Sequence, residues 1–295
     1  MRAGGSVPRG TSRYLSTWVR HDWASPGRNA PLGYRREVNS PTPRILAVAN
    51  QKGGVGKTTT VVNLSASIAL LGHRVLVVDL DPQGNASTGL GINIRSLERS
   101  VYDVLLHDTP IDDVLQSSAV KGLFVVPANL DLAGAEIELV PMMGRETRLQ
   151  KALEHVVADF DYVFIDGPPS LGLLTVNALT AAQEVLVPVQ CEYYALEGLA
   201  QLLRNIELVN KNLNPRLHVS TILCQMYDSR TKLSADVVSE VREHFGDKVL
   251  RSVIPRNVKI AESPSHGQPA VVLEPNSSGA KAYIAAAQEV VHGRA

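Results

Sequence analysis

The stretch Lys52-Gly53-Gly54-Val55-Gly56-Lys57-Thr58-Thr59 lies between an apolar run, Ile45-Leu46-Ala47-Val48-Ala49, and a segment of helical composition from Thr60 to Leu71. Few folds accept strand, glycine loop and helix in that order, and the order is what a phosphate-binding loop requires. Three glycines let successive backbone N–H groups converge on one concave nest. The helix start adds unpaired donors and the positive end of its dipole. Lys57 supplies a compact charge for terminal phosphates and Thr58 a hydroxyl for a divalent cation.

Downstream, apolar runs alternate with helical segments. Strands are predicted at 45–49, 75–79, 123–127, 162–166, 185–189, 219–226 and 249–254. Helices are predicted at 58–71, 101–106, 136–143, 147–158, 171–180, 196–210, 235–245 and 279–291. Strands this continuously apolar fit a parallel sheet covered on both faces. Alternation with helices predicts a doubly wound, mostly parallel α/β fold that binds ligands at the carboxyl ends of its strands.

Two of those strand ends carry acids. The second runs into Asp79-Leu80-Asp81-Pro82-Gln83-Gly84-Asn85, and the fourth ends Ile165-Asp166-Gly167-Pro168-Pro169. Thr58, Asp79, Asp81 and Asp166 are therefore candidate groups around Mg²⁺, held directly or through its waters. Asp79 or Asp81 serving only to cap the following turn is the alternative.

Four motifs in order, the two-lysine loop, Asp79–Asn85, Ile165–Pro169 and Ile254-Pro255-Arg256-Asn257, resemble the ParA/MinD group of P-loop NTPases with a deviant Walker A loop, and most closely its ParA/Soj branch. The resemblance covers residues 44 to 292. It implies an ATPase using ATP and Mg²⁺, with Gly53, Gly54, Val55, Gly56, Lys57, Thr58 and Thr59 cradling the nucleotide. It further implies that Lys52 reaches the phosphates of a second subunit in a nucleotide-sandwich homodimer, acting as an arginine finger does. By the same match Asp81 positions the attacking water, so Lys52, Lys57 and Asp81 form the implied catalytic set. Pro255 and Asn257 fall near the implied adenine site. Tyr193 and Tyr194 match an interface junction. In the family, ATP-bound dimers coat the nucleoid non-specifically, and a ParB-like partner stimulates hydrolysis. The expected role is chromosome or plasmid partitioning in a cytoplasmic, nucleoid-associated protein.

The 295 residues carry no formal net charge, so no global field draws the chain to DNA. Any affinity must come from a local patch. Lys248, Arg251, Arg256 and Lys259 fall within a run free of acids, with Arg230 and Lys232 nearby. This is a candidate phosphate-contacting surface, with a solvated face of ordinary ion pairs as the alternative.

Residues 1–43 are expected to form a disordered basic tail ahead of one ATPase domain at 44–295. The tail is rich in arginine and poor in acids, and has no apolar core of a secretory leader. Cys191 and Cys224 have no metal-ligand spacing and read as buried reduced thiols.

Two relatives compete with the partitioning reading. A MinD-like membrane ATPase needs a basic amphipathic C-terminal helix, and the alanine-rich end from Ala285 to Gly293 offers none, so no stable membrane association is expected. A ParA-like positioner of another cargo stays open, because cargo choice lies in a partner.

Overall fold

The computed structural model describes residues 42–192 and 195–293. The expected tail up to Pro41 and the Tyr193–Tyr194 pair lie outside the described residues. Seven strands form one sheet in the order β3-β4-β2-β5-β1-β6-β7. These are β1 Arg44–Val48, β2 Val75–Asp79, β3 Gln116–Ser117, β4 Leu123–Val126, β5 Tyr162–Asp166, β6 Glu184–Gln190 and β7 His218–Gln225. All neighbours pair in parallel except the two-residue edge strand β3, which runs antiparallel to β4.

Alternate residues of the central strand β1 feed opposite cores, as strand geometry requires. Ile45 and Ala47 join a core that includes Val163 and Val187; Leu46 and Val48 join another that includes Phe164 and Leu223. The second core is closed by α1, Lys57–Leu70, which packs in turn under a C-terminal helix at Ser278–His292. Buried on almost every side, α1 has little polar face. No helix among the described residues is long and apolar enough to cross a membrane.

The fold agrees with the doubly wound expectation, with two local corrections. Residues 249–254 do not extend the sheet. Leu250 N bonds Ile222 O and Ile254 N bonds Cys224 O, so four residues on one side span two on the other. The N–H groups of Arg251 and Ser252 in the surplus turn instead to the Glu289 carboxylate, at 2.7 Å each.

The helix expected at 136–143 is displaced to Leu132–Glu138. Its apolar period misled because Ile137 and Met143 point to solvent, 78% and 94% exposed. Cys191 and Cys224 are buried and free, as expected.

Candidate functional site

The carboxyl ends of β1, β2 and β5 converge. After β1 the loop is tied down by Asn50, whose Nδ2 donates to Pro188 O of β6 at 2.8 Å and whose Oδ1 accepts from Lys52 N at 3.1 Å. Gly54 (φ 73°) and Gly56 (φ 90°) take the left-handed conformation that lets neighbouring N–H groups face one centre. A Cβ added at Gly53 or Gly54 would meet nothing within 4 Å, so the loop faces open space. Val55 is buried and anchors the loop from below.

Lys57 is the first residue of α1 and is itself buried. Burial lowers its pKa, and the carboxylates of Asp166 and Asp81 partly oppose that. Thr58 and Thr59 follow, half-buried.

Register puts Asp79 of β2 directly beside Asp166 of β5. Both are completely buried, yet their bonding differs. Asp79 Oδ2 accepts from Ser87 N at 2.8 Å and Ser87 Oγ at 2.7 Å, and its Oδ1 accepts from Asp81 N at 3.1 Å. Asp79 is thus a bracket that holds the Asp81–Ser87 segment against the sheet. Burial is the main force pushing its pKa up to about 6.

Asp166 has no hydrogen bond of ordinary geometry to either oxygen. Burial first, then the neighbouring Asp79, raise its pKa well above the usual carboxylate range; nearby Thr58 and Lys57 act in the opposite sense. A buried carboxylate without an ordinary hydrogen bond calls for an explanation, and a bound cation supplies one. Asp166 and the Thr58 hydroxyl are the hard oxygen donors such a site needs. A carboxylate and a hydroxyl suit Mg²⁺, which keeps several waters and takes phosphate oxygens.

Asp81 is half-buried; its Oδ1 accepts from Gln83 N at 2.9 Å, a turn cap that leaves Oδ2 unengaged among the described residues. Lys52 is 40% exposed at the rim, with Nζ 3.3 Å from Glu192 Oε2. Glu192 also accepts from Gln190 Nε2 at 2.7 Å and from Arg256 Nη2 at 3.4 Å. An acid just beyond β6 thus ties the extra lysine to the Ile254–Asn257 segment.

Pro255 forms an isolated bridge with Tyr227. Asn257 caps the short helix Val258–Glu262: its Oδ1 accepts from Lys259 N and its Nδ2 donates to Ser278 Oγ, at 2.8 Å each.

The basic run loses much of its apparent freedom. Arg230 pairs with Asp228, Arg256 with Glu192, and Lys259 with Glu262 and Glu274. Lys232, Lys248 and Arg251 make no side-chain ion pair among the described residues. Acids near in sequence (Asp228, Glu262) and distant (Glu192, Glu274) therefore pair with half of the set. Sequence reasoning missed Ser87, Asn50 and the bonding of Glu192, none of which carries a local signal.

Residues 43–219 match a family model described as an AAA domain. The Bacillus subtilis sporulation initiation inhibitor protein Soj is 55% identical over 247 residues, 84% of this chain and 98% of that protein. The Caulobacter vibrioides chromosome partitioning protein ParA is 52% identical over 250 residues, 84% and 94% of the two chains. A Mycobacterium smegmatis structure titled cobyrinic acid a,c-diamide synthase, with bound ATP analogue and magnesium, superposes with a TM-score of 0.74 at 44% identity, covering 86% of this chain and 98% of that one.

Proposed function

Because this chain belongs to the ParA/Soj family of partitioning ATPases, we propose that it is a Mg²⁺-dependent ATP hydrolase that dimerises on ATP, binds DNA non-specifically and moves chromosome or plasmid DNA with a ParB-like partner. The reading rests most heavily on one observation: a fully buried, unpaired Asp166 stands at a strand end beside a glycine loop with two lysines.

In this mechanism the nest from Gly53 to Thr59 binds the phosphates, and Lys57 neutralises the charge that grows on them as the terminal bond breaks. Asp166 and Thr58 would hold Mg²⁺, with Asp79 acting behind them by fixing the Asp81–Ser87 segment. A Mg²⁺ ion held there would supply positive charge against the phosphates. Asp81, on a turn pinned by Asp79 and Ser87, has a free oxygen with which to orient water. Lys52 belongs to the other subunit's pocket, so turnover waits for dimerisation. Pro255 is assigned to packing near the base; Asn257 must surrender its bond to Ser278 to reach it.

DNA contact is assigned to Lys232, Lys248 and Arg251 first, since Arg230, Arg256 and Lys259 each give up an ion pair to join. Such contact is to phosphates, so it weakens steeply with salt. Localisation follows as cytoplasmic and nucleoid-associated.

The Asp81→Ala variant should cosediment with non-specific duplex in ATP and stay bound after wild type has released. Its ATP turnover should fall by about 10² to 10³, the usual cost of losing a group that acts in the transition state. Equal release of the two proteins would overturn the water-positioning role. Retention by anionic vesicles in place of DNA would support a MinD-like reading.

A further inference from the structure

Gln225, the last residue of β7, is 2% exposed and belongs to no motif. Its side chain lies flush against the phosphate loop: a Cβ built on Gly56 would meet Gln225 Oε1 at 3.5 Å. A chain of hydrogen bonds runs through it. Thr60 Oγ1 donates to Gly56 O at 2.6 Å, Gln225 Nε2 donates to Thr60 Oγ1 at 2.8 Å, and the Tyr283 hydroxyl donates to Gln225 Oε1 at 3.3 Å.

Chemistry at one end sets the direction of the whole chain. The Gly56 carbonyl only accepts, so the single Thr60 proton is committed to it. The amide atom facing Thr60 must then be a donor, which turns the Gln225 oxygen to Tyr283. Thr60 and Tyr283 are completely buried, so a missing member leaves a polar atom unpaired in the core. Three elements meet here: the start of α1, the edge of the sheet and the C-terminal helix.

The chain ends on the peptide unit that opens α1. Planarity sets the Gly56 carbonyl and the Lys57 N–H antiparallel. Thr60 holds that carbonyl twice, through its hydroxyl and through its own N–H at 2.9 Å. The Lys57 N–H therefore points out of the helix start, where an orphan donor meets an anion. Glycine is the residue most free to swing at such a joint, so the restraint has to come from outside it.

The geometry points to Gln225, backed by Tyr283, as a positioning residue for phosphate binding, acting through Thr60 on the Gly56–Lys57 peptide. This concerns nucleotide binding by a single chain and stands apart from the role given to a partner's lysine.

Three variants test it: Gln225→Met, Tyr283→Phe and, as a stability control, Asn210→Ala, which loses bonds to Pro215 O and Leu217 O far from the loop. Titration with a fluorescent ADP analogue reads affinity; melting without nucleotide reads stability; steady-state kinetics separates KM from kcat. Gln225→Met should bind about 10-fold more weakly and Tyr283→Phe about 3-fold. The loss should fall on KM with kcat nearly unchanged, because ground and transition states share this contact. Asn210→Ala should melt earlier yet bind as wild type. Wild-type affinity in Gln225→Met overturns the proposal, as does equal weakening in Asn210→Ala. Should Gln225→Met not fold, wild-type affinity in Tyr283→Phe overturns it alone.

Discussion

Replacing Lys52 by alanine is expected to cut ATP turnover by at least about 10³-fold, the effect of removing a charge delivered in trans, while a single chain still binds ATP. Lys57, the glycine nest and Asp166 all survive the change. The lysine is free to make the journey. Its bond to Glu192 joins two side chains 40% and 44% exposed, and such surface pairs contribute only about 0–1 kcal/mol.

The decisive measurement mixes Lys52→Ala with Asp81→Ala. Each protein alone has two crippled sites. In a mixed dimer, the pocket of the Lys52→Ala chain keeps its own Asp81 and receives Lys52 from its partner, so one site is whole. ATPase activity should reappear on mixing. A mixture as inactive as its components, or a Lys52→Ala protein with wild-type kcat, removes the trans lysine from the mechanism.

The second large effect is expected at Asp166. Asp79 and Asp166 are adjacent, buried, and both raised in pKa. A carboxyl group whose pKa is higher folded than unfolded stabilises fully below its unfolded value and loses that contribution as pH rises through the folded one. For Asp79 the window runs from about 4 to about 6, and the displacement corresponds to something on the order of 3 kcal/mol.

Without cation the protein should therefore lose stability across this window and above it, as Asp166 is forced to ionise. Asp166→Asn removes that charge. Its melting temperature near pH 7.5 should exceed wild type, at roughly 2–4 °C per kcal/mol relieved. Addition of Mg²⁺ to the ADP-bound proteins should reverse the order, adding about 2.7 kcal/mol to wild type at a hundredfold excess over Kd and nothing to the variant. Calorimetry at pH 4.5 and 7.5, with Mg²⁺ or chelator, reads both effects. A variant less stable than wild type at high pH without cation would remove Asp166 from the metal site.

Much of this is legible in the sequence. The alternation of apolar runs and helices predicts the parallel sheet because each strand must be covered on both faces. The glycine loop is readable because its chemistry is local: left-handed backbone and a helix start are properties of neighbouring residues. Asp79, Asp81 and Asp166 announce themselves as acids at the ends of apolar strands. The failures share a different cause. Residues 249–254 look like a strand, but Glu289, nearly forty positions away, captures the N–H groups that pairing needs. The composition of the acid-free basic run likewise hides its partners: Glu192 pairs with Arg256, and Glu262 and Glu274 with Lys259.

Sequence by itself settled which chemical groups stand on which strand ends, since backbone periodicity and side-chain chemistry act over a few residues. Only the tertiary structure decided what each group touches: that Asp79 is fully bonded and Asp166 is not, that Lys52 rests on Glu192, and that Gln225 backs the loop. Burial and hydrogen-bond partnership are set by elements that meet across the chain, and the free energy of a charge depends on those surroundings far more than on its neighbours in sequence.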